Sequence, residues 1–150
     1  LMEKISANLS YKEGVHSNTA TRRNIDNNPN AEQLAAMKLV AAKVFQPVRE
    51  WYGKPIRVNS FFRSPELNTR TGGSKTSQHC KGEAIDIDTS NDNKKLYDYI
   101  RDNLEYDQLI WEFGNESNPD WIHVSFSKNG NRKRQLLAKK VNGRTTYSVI

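Results

Sequence analysis

The stretch Ser77-Gln78-His79-Cys80-Lys81-Gly82-Glu83-Ala84-Ile85-Asp86-Ile87-Asp88 carries a polar loop into a short apolar-acidic strand. It offers an imidazole at the loop's end and a carboxylate seven residues later, with Gly82 letting the chain turn between them. If Ile85 and Ile87 point into a core, the two-residue period of a strand sends Asp86 to the opposite face with Ala84 and Asp88, where it can look into a cleft. The stretch Pro119-Asp120-Trp121-Ile122-His123-Val124-Ser125-Phe126 obeys the same logic. Ile122, Val124 and Phe126 share an apolar face, while Trp121, His123 and Ser125 share the other.

Working outward, Asn30 with Gln33 three residues on predicts the capped start of a long helix, in which Leu34, Met37, Ala41, Val44, Phe45, Val48 and Trp51 recur at helical spacing. Gly53 ends it, and Pro47 is expected to kink it by removing a backbone donor. Before it, Leu1 to Asn30 is polar and dense in turn formers and reads as a segment packed onto the domain. After it, 56–62 reads as a strand and Ser64-Pro65-Glu66 as the cap and first turn of a short helix closed by Gly72-Gly73. A helix is expected over 92–103 and strands over 84–88, 106–113 and 121–126. Asn142-Gly143 suits a two-residue hairpin turn between 135–141 and 144–150. Helices come early and strands mostly follow one another without helical crossovers. The expected fold is therefore α+β, one domain over 1–150 with helices packed on a mainly antiparallel sheet.

With 35% hydrophobic and 27% charged residues, the chain has enough apolar content for a folded core. No run approaches the length of a membrane span, and Leu1 to Ser10 lacks the apolar centre of a signal peptide, so synthesis in the cytoplasm is expected. Cys80 stands alone and cannot form an internal disulfide. The formal net charge of +6 favours anionic partners. The one basic cluster, Arg132, Lys133 and Arg134 with Lys139 and Lys140, is too short for a nucleic-acid arm, and no nucleic-acid partner is expected.

Two imidazoles and one carboxylate, from His79, Asp86 and His123, form a three-ligand set suited to catalytic zinc. A fourth position stays open to water, whose pKa the ion lowers towards neutrality. Calcium or magnesium would demand more oxygens. Asp120, at the entrance of its strand and three residues before His123, is positioned to serve as general base without ligating. Arg63 is placed to hold a substrate carboxylate or the developing oxyanion, the alternative being a surface pair with Glu66. Asp88 reads as solvated or supporting, Cys80 as an inert thiol, His16 as structural or solvated and Trp51 as core, while Trp111 and Trp121 are candidates to line the cleft.

Arg63-Ser64-Pro65-Glu66-Leu67-Asn68, Gly72 to His79, Gly82 to Ile87 and Asp120 to Ser125 together resemble the zinc D-alanyl-D-alanine carboxypeptidases, a family that includes phage L-alanyl-D-glutamate endopeptidases of endolysin type. Phe45 to Arg49 and Asp107 to Ile110 extend the likeness. The resemblance implies a Hedgehog/DD-peptidase-like fold and His79, Asp86 and His123 as zinc ligands. It further implies Asp120 as acid/base, Arg63 as clamp and a peptidoglycan stem peptide as substrate, cut at the cell wall by a monomer. Some relatives carry a histidine two residues before the acid where this chain has Asn118.

Overall fold

The computed structural model describes residues 3–150. The chain opens with a small two-stranded sheet, β1 (Lys4–Ser6) and β2 (Leu9–Ser10), and two short helices, α1 (Tyr11–Val15) and α2 (Asn18–Arg23). Ser10 and Glu13 form a reciprocal capping box at α1, and Ile5 and Leu9 bury their side chains in the main core. The polar N-terminal segment is thus tied down by two apolar anchors.

The long helix begins where expected. The Asn30 side chain accepts from the Gln33 backbone, and the Gln33 side chain accepts from the Asn30 backbone, starting α3 (Ala31–Val40). It runs through a π-helical turn, Ala41–Phe45, into α4 (Gln46–Tyr52), which ends at Gly53 with φ 72°. The expected kink at Pro47 is therefore taken up as a π turn. The ladder widens in the turn before the proline, with Gln46 N–H donating to Ala41 O, where the missing donor would otherwise break it. Met37, Val40, Ala41, Val44, Phe45 and Val48 form the buried stripe. Trp51 is a correction: it is 47% exposed and, instead of entering the core, stacks on Tyr99 at 4.2 Å.

The second half of the chain builds a six-stranded sheet. In chain order come β3 (Arg57–Ser60), α5 (Pro65–Arg70), a 3-10 turn (Gln78–Lys81), β4 (Ala84–Asp88), α6 (Asn93–Asn103), β5 (Gln108–Glu112), β6 (Trp121–Ser125), β7 (Arg134–Val141) and β8 (Arg144–Val149). The spatial order is β3-β4-β6-β5-β7-β8, antiparallel except for the parallel pair β5 and β7. This is the expected α+β fold. The parallel pair arises because β6 inserts between β4 and β5, so the chain must return along the far side of β5. Asn142 and Gly143, at φ 52° and 78°, close the C-terminal hairpin as their residue types require.

One face of the sheet, with Ile85, Ile87, Leu109, Ile122 and Val124, packs on the long helix and α6 to form the core. The other face carries Asp86, His123, Ile110 and Leu136 in one register row, and Trp121, Glu112, Ala138 and Tyr147 in the next. These rows floor an open cleft, walled by the segment from Arg63 to Lys81. Among the described residues no helix is long and apolar enough to cross a membrane.

Candidate active site

The 3-10 turn that presents His79 is held at both ends. Ser77 caps it by accepting from the His79 backbone, and Gly82 ends it at φ 75°. A Cβ on Gly82 would come within 2.4 Å of Gln33 O, so only glycine lets the turn seat this closely on α3. Gln33 also donates its side-chain amide to Cys80 O. The residue that caps the long helix therefore fixes the metal-ligand turn as well.

His79 is 1% exposed, and its Nδ1 lies 2.7 Å from Phe61 O. A carbonyl can only accept, so Nδ1 carries the hydrogen and Nε2 keeps its lone pair. Nε2 is buried with no hydrogen-bond partner and lies 3.3 Å from Asp86 Oδ2. On β6, the residue paired directly with Asp86 is His123, whose Nδ1 is 3.0 Å from Asp86 Oδ1. The three ligand atoms lie within 4.8 Å of one another, a span that one cation closes with small side-chain rotations.

Electrostatics suit a cation here. Burial pushes the Asp86 carboxyl up, but the charges and hydrogen bonds of His79 and His123 outweigh it and hold the group well below the usual carboxylate range. The orphaned imidazole nitrogen and the ionised carboxylate aim at one point. Two nitrogens and one oxygen are a donor set for zinc rather than for calcium or magnesium.

Arg63 follows β3, donates its backbone N–H to His79 O and turns its side chain into the same cleft, with Nε buried and unpartnered. Glu66, the surface partner considered for it, is exposed. Trp121 lines the cleft beside Phe113, whereas Trp111 lies on the opposite face of β5, edge-on to Tyr97.

Asp120 stands at the bend just before β6. Its backbone is pinned by an N–H bond to Glu112 O and by Asn93 donating to its carbonyl, and its exposed side chain joins a separate depression with Trp111, Gly114 and Lys139. Asn118 is likewise occupied elsewhere, donating to Ser90 O and accepting from Lys94 N–H.

The second carboxyl inside the cleft, besides Asp86, is Glu112, which sequence reasoning passed over as one residue of an apolar strand. It is 6% exposed and lies one row from His123 on the adjacent strand. Burial pushes its pKa up to about 7, with the Asp86 charge adding to the shift and His123 opposing it. The signal was there: a lone acid in Gln108-Leu109-Ile110-Trp111-Glu112, in phase with Gln108 and Ile110.

Asp88 is bound by Arg57, Ser90 and Asn93 and supports the end of β4 rather than the cluster. His16 is exposed. Cys80 is half-buried, outside the ligand cluster, and its thiol pKa is pushed up by burial despite Arg63. Cys80→Ser should leave metal content and hydrolysis at wild-type levels. Elemental analysis showing lost zinc in that variant would make the thiol a ligand.

An α+β sheet whose cleft gathers a His-Asp-His set, an arginine with an unpartnered Nε and a buried acid has the parts of a metal-dependent hydrolase. The family model of Peptidase M15 matches residues 7–125, and the chain belongs to this family. No curated protein matches it. The matched segment includes Arg63, His79, Asp86, Glu112, Asp120 and His123 and stops before β7 and β8.

Proposed function

We propose that this chain is a zinc peptidase that hydrolyses an amide bond within the stem peptides of bacterial peptidoglycan, acting as a single domain and a monomer. The observation that carries the reading is the bare, buried Nε2 of His79 converging with Asp86 and His123 in a cleft that also holds Glu112. Bound by His79, Asp86 and His123, zinc supplies Lewis acidity, lowering the pKa of a water and polarising the scissile carbonyl.

The chain's own residues do the rest. Glu112 takes a proton from the attacking water and returns it to the leaving amine. Asp120 had this role in the sequence reading; its exposed side chain lines a neighbouring depression, and the buried Glu112 inside the cleft is the carboxyl we favour. Arg63, with Nε free, stabilises the oxyanion or holds a substrate carboxylate. Phe61 O keeps the His79 ring in its ligating tautomer.

Arg63, Lys81 and Arg134 are spread along the cleft, while Arg132 is held by Asp107. Cations so dispersed suit a peptide with carboxylates on several residues, which favours internal cleavage at L-Ala-D-Glu, as in a lysis enzyme, over removal of a terminal D-Ala. Mass spectrometry of soluble products from purified peptidoglycan tests this. Stem peptides freed with D-Glu at the new N-terminus are expected. Release of D-Ala alone would make it a carboxypeptidase, and unchanged peptidoglycan would end the proposal.

A further inference from the structure

The family match ends at Ser125, and the charge of the chain changes where it stops. Residues 1–126 hold sixteen lysines and arginines against seventeen aspartates and glutamates, so they are close to neutral. Residues 127–150 hold seven lysines and arginines and no acid, and the net charge of +6 therefore belongs to this one segment. Arg132 is neutralised by Asp107, but no other cation of the segment forms an ion pair among the described residues. Lys139, Lys140 and Arg144 stand exposed at the turn end of the hairpin of β7 and β8. Glu116 and Asp120 line the depression beside Lys139 and Lys140 without pairing to either, and Lys140 Nζ sits over the Phe113 ring at 5.9 Å.

The same hairpin is where apolar side chains meet water. Of the five large hydrophobic residues exposed among the described residues, Val141, Tyr147, Val149 and Ile150 lie on it or at its end, and Trp51 alone lies elsewhere. All six residues of β8 are exposed, as are the last three of β7, and the main core takes no side chain from either strand. β8 is also an edge strand, with one row of backbone N–H and C=O groups unpaired.

Each half of this composition narrows the partner. Uncompensated cations call for an anion. A sugar-phosphate chain satisfies them but gives valine and isoleucine nothing to bury against. A second copy of the chain would cover the apolar groups but bring the same cations face to face. An anionic lipid surface satisfies both, since its phosphates lie above acyl chains within the reach of one side chain. The open edge of β8 limits the depth. Its backbone groups need water or headgroups, so the strand lies along the interface and does not enter the hydrocarbon.

We propose that the hairpin of β7 and β8 is a docking surface for an anionic lipid bilayer, with Lys139, Lys140 and Arg144 held at the phosphates and Val141 and Val149 at the boundary of headgroups and acyl chains. This is adsorption to a membrane rather than a span. It depends neither on the metal nor on the peptidase reading.

The test is co-sedimentation of the full chain with vesicles of phosphatidylcholine, alone or with one third phosphatidylglycerol, at low and at physiological salt. The wild type should bind the anionic vesicles only, zinc-loaded or stripped, and salt should weaken that binding without abolishing it. Lys139→Gln/Lys140→Gln/Arg144→Gln should weaken it on the order of a hundredfold, at about fivefold for each cation near the surface. Lys12→Gln/Lys38→Gln/Lys43→Gln loses the same charge from exposed positions on α1 and the long helix, and should bind like the wild type. Val141→Ser/Val149→Ser keeps every charge and should weaken binding by roughly tenfold. A wild type that ignores anionic vesicles, or equal losses in the two triple variants, would overturn the proposal. Undiminished binding by the serine variant would overturn it too, because charge alone would then explain the adsorption. Tighter capture by soluble polyphosphate than by vesicles would assign the hairpin to an anionic polymer instead.

Discussion

Glu112→Gln is expected to lower hydrolysis of peptidoglycan by about a hundredfold to ten-thousandfold, the usual contribution of a positioned acid/base. Zinc content and fold should be unchanged. The substitution is nearly isosteric, so the buried site on β5 stays filled and the pairing of Glu112 with Trp121 is untouched. It removes only the capacity to accept and return a proton. Burial holds the wild-type carboxyl's pKa well above an ordinary glutamate, so the acidic limb of the rate profile should belong to this group and vanish in the glutamine variant. Asp120→Asn should stay near wild type, since its side chain lies in the depression formed with Trp111 and Lys139. The reverse pattern, an active Glu112→Gln and an inactive Asp120→Asn, would return the acid/base role to Asp120.

His79→Ala, Asp86→Ala and His123→Ala should each lose both zinc and hydrolysis, in contrast to Glu112→Gln, which loses only the second. Two remaining ligands cannot hold the ion as three do, and any stability that zinc binding lends the native state goes with it. The His79 variant also strands Phe61 O without its imidazole donor in a buried setting, so its Tm should fall even when all samples are stripped of metal. His123 is more exposed than His79, and its replacement should cost the metal-free protein less. Zinc retained at full occupancy in any of the three would remove that residue from the ligand set.

Much of this site was legible in the chain because it rests on local rules. The two-residue period placed Asp86 opposite Ile85 and Ile87, and His123 opposite Ile122 and Val124, and both pairs of isoleucine or valine neighbours are fully buried. Capping chemistry located the long helix at Asn30 and the short one at Ser64, where the side chain accepts from Leu67 N–H. What escaped was non-local. Glu112 becomes a site residue only because β5 lies beside β6, a pairing that no periodicity reveals. Asp120 was placed by its spacing from His123, but it precedes β6, so the strand's two-residue period does not fix its direction. The parallel return of β7 depends on strand order, which follows from packing the whole sheet.

The most direct measurement is zinc titration of metal-stripped protein, with peptidoglycan hydrolysis and bound zinc followed together. Activity should be absent at the start, rise in proportion to bound zinc and level off at about one ion per chain, the stoichiometry of a three-ligand site. Hydrolysis that persists in the stripped protein, or that ignores added zinc while the fold is intact, would contradict the assignment of His79, Asp86 and His123 as the centre of a zinc peptidase.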